Sequence, residues 1–411
     1  MPTVRCLLPS FLLPVAAALS AATLQVTSTG DTVANDGACS LREAVSSANT
    51  QTASGAAAGE CGVGQSPPFD RIELPPGSYR LQRGGAAEDD NVSGDLDIRR
   101  GGLAIVGAGA DLTEIRGDRN QRVLDIGAGL PAPGGDPVLL AGLTLRNGSD
   151  SEGGGVRTAP GWALIVDGCV LANNTAGRGG GITAAGALIL QASTLHANAA
   201  TDPGSGAGGG LYYAGATPAQ LRNVTFNANE SATDGAAALF AGPARLNNVT
   251  AAANVSDADA NGSGDAAILA QATVQLSNSL LATNIDFSLL IGGNFTPDCA
   301  GSPGALQSLD HNLIGNLGVS CTVAALPADQ FGTAAAPLNP RLLPLGAYGG
   351  RTETQLPEAV SPAVDRGAPN GADAPCELVD QRGVVRPLGA YCDIGAVESD
   401  DRIFADGLEL G

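Results

Sequence analysis

Aromatic residues make up 3% of this 411-residue chain and charged residues 15%. So few rings exclude a core built on aromatic stacking, and they leave little for a carbohydrate platform, because sugar faces stack on exposed rings. Basic residues are half as numerous as acidic ones, 21 against 41, for a net charge of −20. That balance repels polyanions and argues against a nucleic-acid partner. Histidine occurs twice, at His196 and His311, and neither lies near Cys169 in sequence, so a Cys–His nucleophile has no support. After residue 22 there is no run of 18 apolar residues, so no membrane-spanning helix is expected there. The many Gly-rich runs lack a GxxxxGK[ST] pattern and do not form a phosphate loop.

What is present is repetition. LAGLTLRNG begins at Leu140, VDGCVLANN at Val166 and LQASTLHAN at Leu190. LRNVTFNAN begins at Leu221, LNNVTAAAN at Leu246 and LSNSLLATN at Leu276. The first position is Leu or Val, the sixth is Leu, Phe or Ala, and the ninth is Asn in all but the first segment. Self-similarity at this period marks a stacked repeat architecture. The alternation around Val224 and Phe226 has period two, which reads as strand with those residues inward. The expected fold is therefore all-β, a right-handed parallel β-helix. Its first-position residues should stack in one inward column, and Phe226 should sit between Leu195 and Ala251. The ninth-position residues Asn174, Asn198, Asn229, Asn254 and Asn284 are expected to form a structural ladder. Asn both tolerates a left-handed corner and can bond the neighbouring coil.

The segments between repeats carry a second pattern. Each contains a small-residue run, such as Gly179–Gly181 or Gly208–Gly210, and the length variation sits in the loop before it. Stacking places those loops on one side, commonly the binding face. They carry Asp150, Glu152, Asp202, Glu230, Asp234, Asp257 and Asp259 against Arg178. An edge of like charges either stays wet or recruits a cation, and Ca²⁺ suits hard oxygen ligands. This edge is the candidate ligand or cation face; no firm metal site and no other cofactor is indicated.

Residues 1–22 read as a secretory signal, with Arg5, an apolar stretch and small residues before Thr23. Seven cysteines remain after it, in three local pairs: Cys39 with Cys61, Cys299 with Cys321, and Cys376 with Cys392. Nearest-neighbour disulfides are the simplest connectivity in an exported chain, leaving Cys169 as a buried small hydrophobe. Ser40 and Glu43 form a capping-box pattern before the apolar stripe Leu41, Ala44, Val45 and Ala48. A short helix there can plug the open end of a solenoid.

The CSLREA segment at Cys39–Ala44 resembles the CSLREA domain that begins many exported bacterial β-helix proteins. FDRIELPPGSYRL from Phe69 and DLDIRRGGLAIVGAGADLTEIRGD from Asp95 resemble the first coils of pectin-lyase-like β-helices. SPAVDRG from Ser361, DQRGVVRP from Asp380 and CDIGAVE from Cys392 resemble the choice-of-anchor Q domain. The IFADGLE tail resembles one found on exported proteins of some Gram-negative bacteria. These resemblances imply a protein secreted or held at the outer surface, with no catalytic residues to carry over. The chain then divides into a signal (1–22), an N-terminal cap (23–68) and β-helix repeats (69–295). Disulfide-clasped terminal coils (296–344), a choice-of-anchor Q-like module (345–398) and a tail (399–411) follow.

An enzyme on this scaffold needs paired carboxylates, or calcium carboxylates with a positioned Arg. The NTD, GHG and RIK motifs of polygalacturonase-like enzymes do not occur. Asp95, Asp97 and Arg99 share one strand face, and Asp310-His311-Asn312 tempts as a group, but both read as ordinary strand pattern. The expected role is non-enzymatic adhesion or surface interaction by a monomer, toward a glycan or protein. The alternatives are a polysaccharide lyase or hydrolase, and a plain stalk.

Overall fold

The computed structural model describes residues 22–64, 69–84, 88–127, 129–132, 136–288 and 297–399. Apart from Ala22, the expected signal lies outside them, as does the tail from residue 400 onward. Among the described residues the strands form three parallel sheets of 17, 8 and 6 strands. The chain visits them in turn, as a parallel β-helix. One coil runs through Leu188–His196 in the 17-strand sheet, Ala199–Ala200 in the six-strand sheet and Leu211–Tyr213 in the eight-strand sheet. It then returns to the first sheet as Ala219–Asn227.

The inward columns follow the repeat register. Leu140, Val166, Leu190, Leu221, Leu246 and Leu276 are successive partners, all fully buried. The column continues backward through Ile105 and Ile72 to Leu24. Phe226 sits between Leu195 and Ala251, so a large ring is offset by a methyl one coil on. Close packing demands such compensation, because a void of even one methylene is felt.

The Asn ladder forms, with one correction to its geometry. From Asn198 onward each Asn amide oxygen accepts two N–H groups from the coil before it, whereas Asn174 accepts only the Gly148 N–H. Asn198, for example, takes the backbone N–H (3.1 Å) and Nδ2 (3.0 Å) of Asn174. Its own Nδ2 donates to Leu171 O and to Asn229 Oδ1. The left-handed corner, however, is the eighth position: Asn147, Asn173, Ala197, Ala228, Ala253 and Thr283 have φ of 51–60°. Left-handed Ala or Thr costs about 1–2 kcal/mol, and the buried ladder bonds of the next residue offset it. The ladder ends on Asp298, whose carboxylate accepts from Asn284 N and Nδ2 and from Asn316 N.

The N-terminal end is closed by a helix at Leu41–Thr50. Ser40 Oγ accepts from Glu43 N–H, and Glu43 Oε2 accepts from Ser40 N–H, a complete capping box. Leu41, Ala44, Val45 and Ala48 join the main core. Arg42 beside them is buried, held by the Asp31 carboxylate and by the carbonyls of Gly94 and Asp95. All three disulfides are formed, with Cα separations of 4.7, 5.2 and 6.6 Å, and Cys169 is free and buried. No helix among the described residues is long and apolar enough to cross a membrane.

The C-terminal segment does not add another coil. It folds back along the outer surface of the 17-strand sheet. Gln381 bonds Thr225 and Thr194, Thr354 meets Thr225, and Ala396 N–H donates to Thr250. Asn223, Asn248 and Asn278 hold the carbonyls of Val379, Gly395 and Ala374. Inside this module Arg386 is buried against Glu398 and donates to the carbonyls of Asp393 and Gly395. Arg382 pairs with Asp380. The DQRGVVRP and CDIGAVE motifs are thus the two sides of one buried ionic core.

Candidate recognition face

With one lateral surface covered by the module, the loop-bearing side remains. Its floor is the outward row of the eight-strand sheet: Asp97, Asp125, Arg157, Thr183, Tyr212, Leu239 and Leu269, each the register partner of the next. Period two sets these residues outward, because their neighbours Leu124, Val156, Ile182 and Leu211 fill the core. Over the middle of the row hang the loops of 201–207, 232–234 and 257–264. They enclose a groove of about 410 Å³ lined by Arg178, Tyr212, Leu239, Asp234 and Gln271. The Arg178 guanidinium stands 4.8 Å from the centre of the Tyr212 ring, a cation–π contact that holds the ring in place. Trp162 and Tyr213 offer no platform: both are buried, Trp162 against Gly127. Gly127 has a φ of 80°, and a Cβ there would lie 2.2 Å from the indole.

The seven acids of the expected edge fall into separate arrangements. Burial works to raise Asp150, but its pairing with Arg122 and the bonds from Ser151 together hold its carboxyl below the usual range. Glu152 stands 3.7 Å from Arg157 and 3.8 Å from Arg178. Asp202 accepts from Ser205 and Gly204 within its own turn, and the Ser205 bond leads in lowering its pKa. Asp257, though fully buried, accepts from Asn261 and Gly262 N–H, and Asp259 accepts from the Asn261 amide. Glu230 is exposed. Asp234 faces other acids without a basic partner among the described residues. Burial, with Asp265 and Asp286 nearby, pushes it up to about 6. Asp265 and Asp286 are themselves raised, chiefly by burial. Among the described residues no three His, Cys, Asp or Glu stand where they could hold one metal ion.

At the N-terminal end of the same row lies a buried ionic network. Arg122 contacts Asp95, Asp125 and Asp150, while Arg157 bonds Asp125. Burial, with Asp95 alongside, raises Asp97 to about 8, and burial raises Asp95 to about 6. Arg99 points away to Asp90. Asp97 is 2% exposed and Arg99 turns outward to the surface, so the strand-face trio expected from the sequence does not converge on one site. Asp310-His311-Asn312 is structural as well: Asn312 bonds Leu276 O, and His311 meets Arg366 O.

Two features escaped sequence reasoning. The stacking of Asp265 and Asp286 near Asp234 depends on loop lengths that no local pattern reports. The clamp formed by Asn223, Asn248 and Asn278 did leave a signal, since the third repeat position changes from Gly or Ala to Asn in just those coils. No family model matches the chain, and no curated protein or solved structure matches it.

Proposed function

We propose that this chain is an exported, non-enzymatic recognition protein of the cell exterior, with its recognition surface on the loop-bearing side of the solenoid. The observation that carries this reading is the groove beneath those loops, where Tyr212 is held by Arg178. A fixed ring flanked by a guanidinium, a carboxylic acid and an amide suits a sugar ring, which offers an apolar face and a rim of hydroxyls. Three short-loop disulfides fit an oxidising compartment, the CSLREA and choice-of-anchor Q resemblances agree with export, and the resemblance of the IFADGLE tail agrees with a Gram-negative bacterium. The test is a glycan panel probed with the mature chain and with Tyr212→Ala. Retention of one glycan class by the parent and its loss in the variant supports the reading. Equal binding by both proteins sinks it.

A second reading, hydrolysis of a polysaccharide, is favoured by one observation. Asp234 lines the groove with its pKa raised to about 6, close to the acidic neighbours Asp265 and Asp286. Glycosidases work with a pair of neighbouring carboxyls in acid and base roles. Product release from a bound glycan, abolished in Asp234→Asn, would select this reading over the first.

A further inference from the structure

The seam between the terminal coils and the C-terminal module holds a pocket that neither reading uses. It encloses about 460 Å³ and is lined by His311 and Gln330 from the coils and by Asp365, Arg366 and Tyr391 from the module. Tyr391 is half exposed, more than any other tyrosine of the chain. The module fixes its own wall. Tyr391 N–H donates to Asp365 Oδ1 at 2.9 Å, and the next residue, Cys392, is bridged to Cys376. Gly367 N–H donates to Cys392 O at 2.7 Å. A Cβ on Gly367 would lie 2.4 Å from Cys392 Sγ, so only glycine lets the chain beside Arg366 pass this close to the disulfide. The coil side is fixed too. Gln330 Nε2 donates to Pro362 O at 2.9 Å, and His311 Nδ1 lies 2.9 Å from Arg366 O. A carbonyl only accepts, so Nδ1 carries the proton and the neutral ring leaves Nε2 as an acceptor. Five polar groups of the lining remain open among the described residues: the Arg366 guanidinium, the Tyr391 hydroxyl, Asp365 Oδ2, Gln330 Oε1 and His311 Nε2.

We infer that this pocket binds one or two rings of a neutral glycan. The open groups include donors and acceptors, and sugar hydroxyls donate and accept at once. The Tyr391 ring suits the C–H face of a sugar, and the volume is that of a small-ligand cleft. Charge favours a ligand with none of its own. The wall carries Arg366 against Asp365 and Asp329, and Asp329 already accepts N–H bonds from Asn312 and Leu326. An anion would meet the two carboxylates, and a cation would meet the guanidinium. An extended peptide presents its N–H and C=O groups in a row, as a strand edge would pair them, whereas the open groups here are side chains from four separate segments. The pocket shares no lining residue with the loop-bearing groove and stands independently of the function proposed for that groove.

The experiment is calorimetric titration of the mature chain with oligosaccharides of equal length: neutral (hexose and N-acetylhexosamine), uronate-containing and amine-bearing. It is repeated in Tyr212→Ala, which silences the loop-bearing groove. A neutral oligosaccharide should bind both proteins, and the two charged ones should bind more weakly. Tyr391→Ala and Arg366→Ala remove exposed side chains without a partner among the described residues, so both variants should keep the parent melting temperature. In the Tyr212→Ala background each should lower affinity about tenfold, as loss of a ring contact or of a charge-assisted hydrogen bond predicts. Loss of all binding in Tyr212→Ala would assign the heat to the loop-bearing groove, overturning this site and leaving that function standing. A preference for either charged sugar, indifference to both Tyr391→Ala and Arg366→Ala, or no heat from the neutral sugars at millimolar concentration also overturns the proposal.

Discussion

Thr225 and Tyr212 both point out of the solenoid, one from the 17-strand sheet and the other from the eight-strand sheet. Thr225 is fully buried, and Tyr212 is only half-buried. The coil geometry beneath them is the same, so the contrast comes from what lies above. Over Thr225 the module supplies Gln381 and Thr354, each matched to a hydroxyl. Over Tyr212 there are only loops and Arg178. A parallel β-helix cannot leave both flanks equally open if one is to carry an appended module, and this chain has committed one flank to structure and left the other uncovered.

The largest expected effect breaks the covered side. Arg386→Ala removes the cation from a pocket holding the buried Glu398 carboxylate, with Asp380 and Asp393 close by. Removing one partner of a buried pair typically costs about 3–5 kcal/mol, and several acids in one pocket place this case at the upper end. Denaturant melts should show the loss, and limited proteolysis should cut within 345–399 before it cuts the coils. Early cleavage in the coils instead would mean that the module is not a separable cover.

Phe226→Ala tests the interior that both flanks share. It should cost about 3–5 kcal/mol, because Leu195 and Ala251 cannot collapse into the space of a ring. A loss below about 1 kcal/mol would mean that the register is wrong. The interior was readable in advance because an inward column needs only apolar residues recurring at a fixed place in each repeat, which Leu140 to Leu276 provide. The N-terminal helix was readable for a similar reason, since Ser40 and Glu43 cap it locally. The module's position was not, because many of its bonds join residues 90 to 243 apart in sequence, and many use backbone carbonyls that carry no residue identity. The ladder was half legible. Asn marked the corner, but the left-handed residue is its neighbour, often Ala, which has no signature of its own. The acid edge was read from loop composition, and composition did not reveal that Arg122, Arg157 and Arg178 reach two of those acids, Asp150 and Glu152.

Acidity sharpens the contrast in a different way. Burial raises Asp298, at the end of the ladder, to about 7, and Asp393, in the module, to about 6. In the unfolded chain both titrate near 4. Between those values the folded state holds more protons than the unfolded one, so stability is full below about pH 4 and falls as pH rises through 6 to 7. Carboxyls held low, such as Asp150, are ionised in both states above about pH 4 and leave this decline untouched. Melts at pH 4.5 and 7.5 measure it. In Asp393→Asn the slope should flatten, and an unchanged slope would show that Asp393 is ionised throughout.

The smallest effect is the most direct comparison, a paired truncation of the two outward residues. Thr225→Ala strands Gln381 and Thr354 in a buried site, and an unsatisfied buried polar group costs about 1–3 kcal/mol. Tyr212→Ala loses a half-exposed ring and one cation–π contact, about 0.5–1 kcal/mol at such a site. The two variants should also differ in kind. Thr225→Ala should loosen the module without touching any ligand of the loop-bearing groove, whereas Tyr212→Ala should abolish that binding at nearly full stability. If Tyr212→Ala proved the more destabilising of the two, the ring would be a structural prop for the overhanging loops. The open flank would then need another explanation for why an exposed aromatic was kept in a chain that has so few.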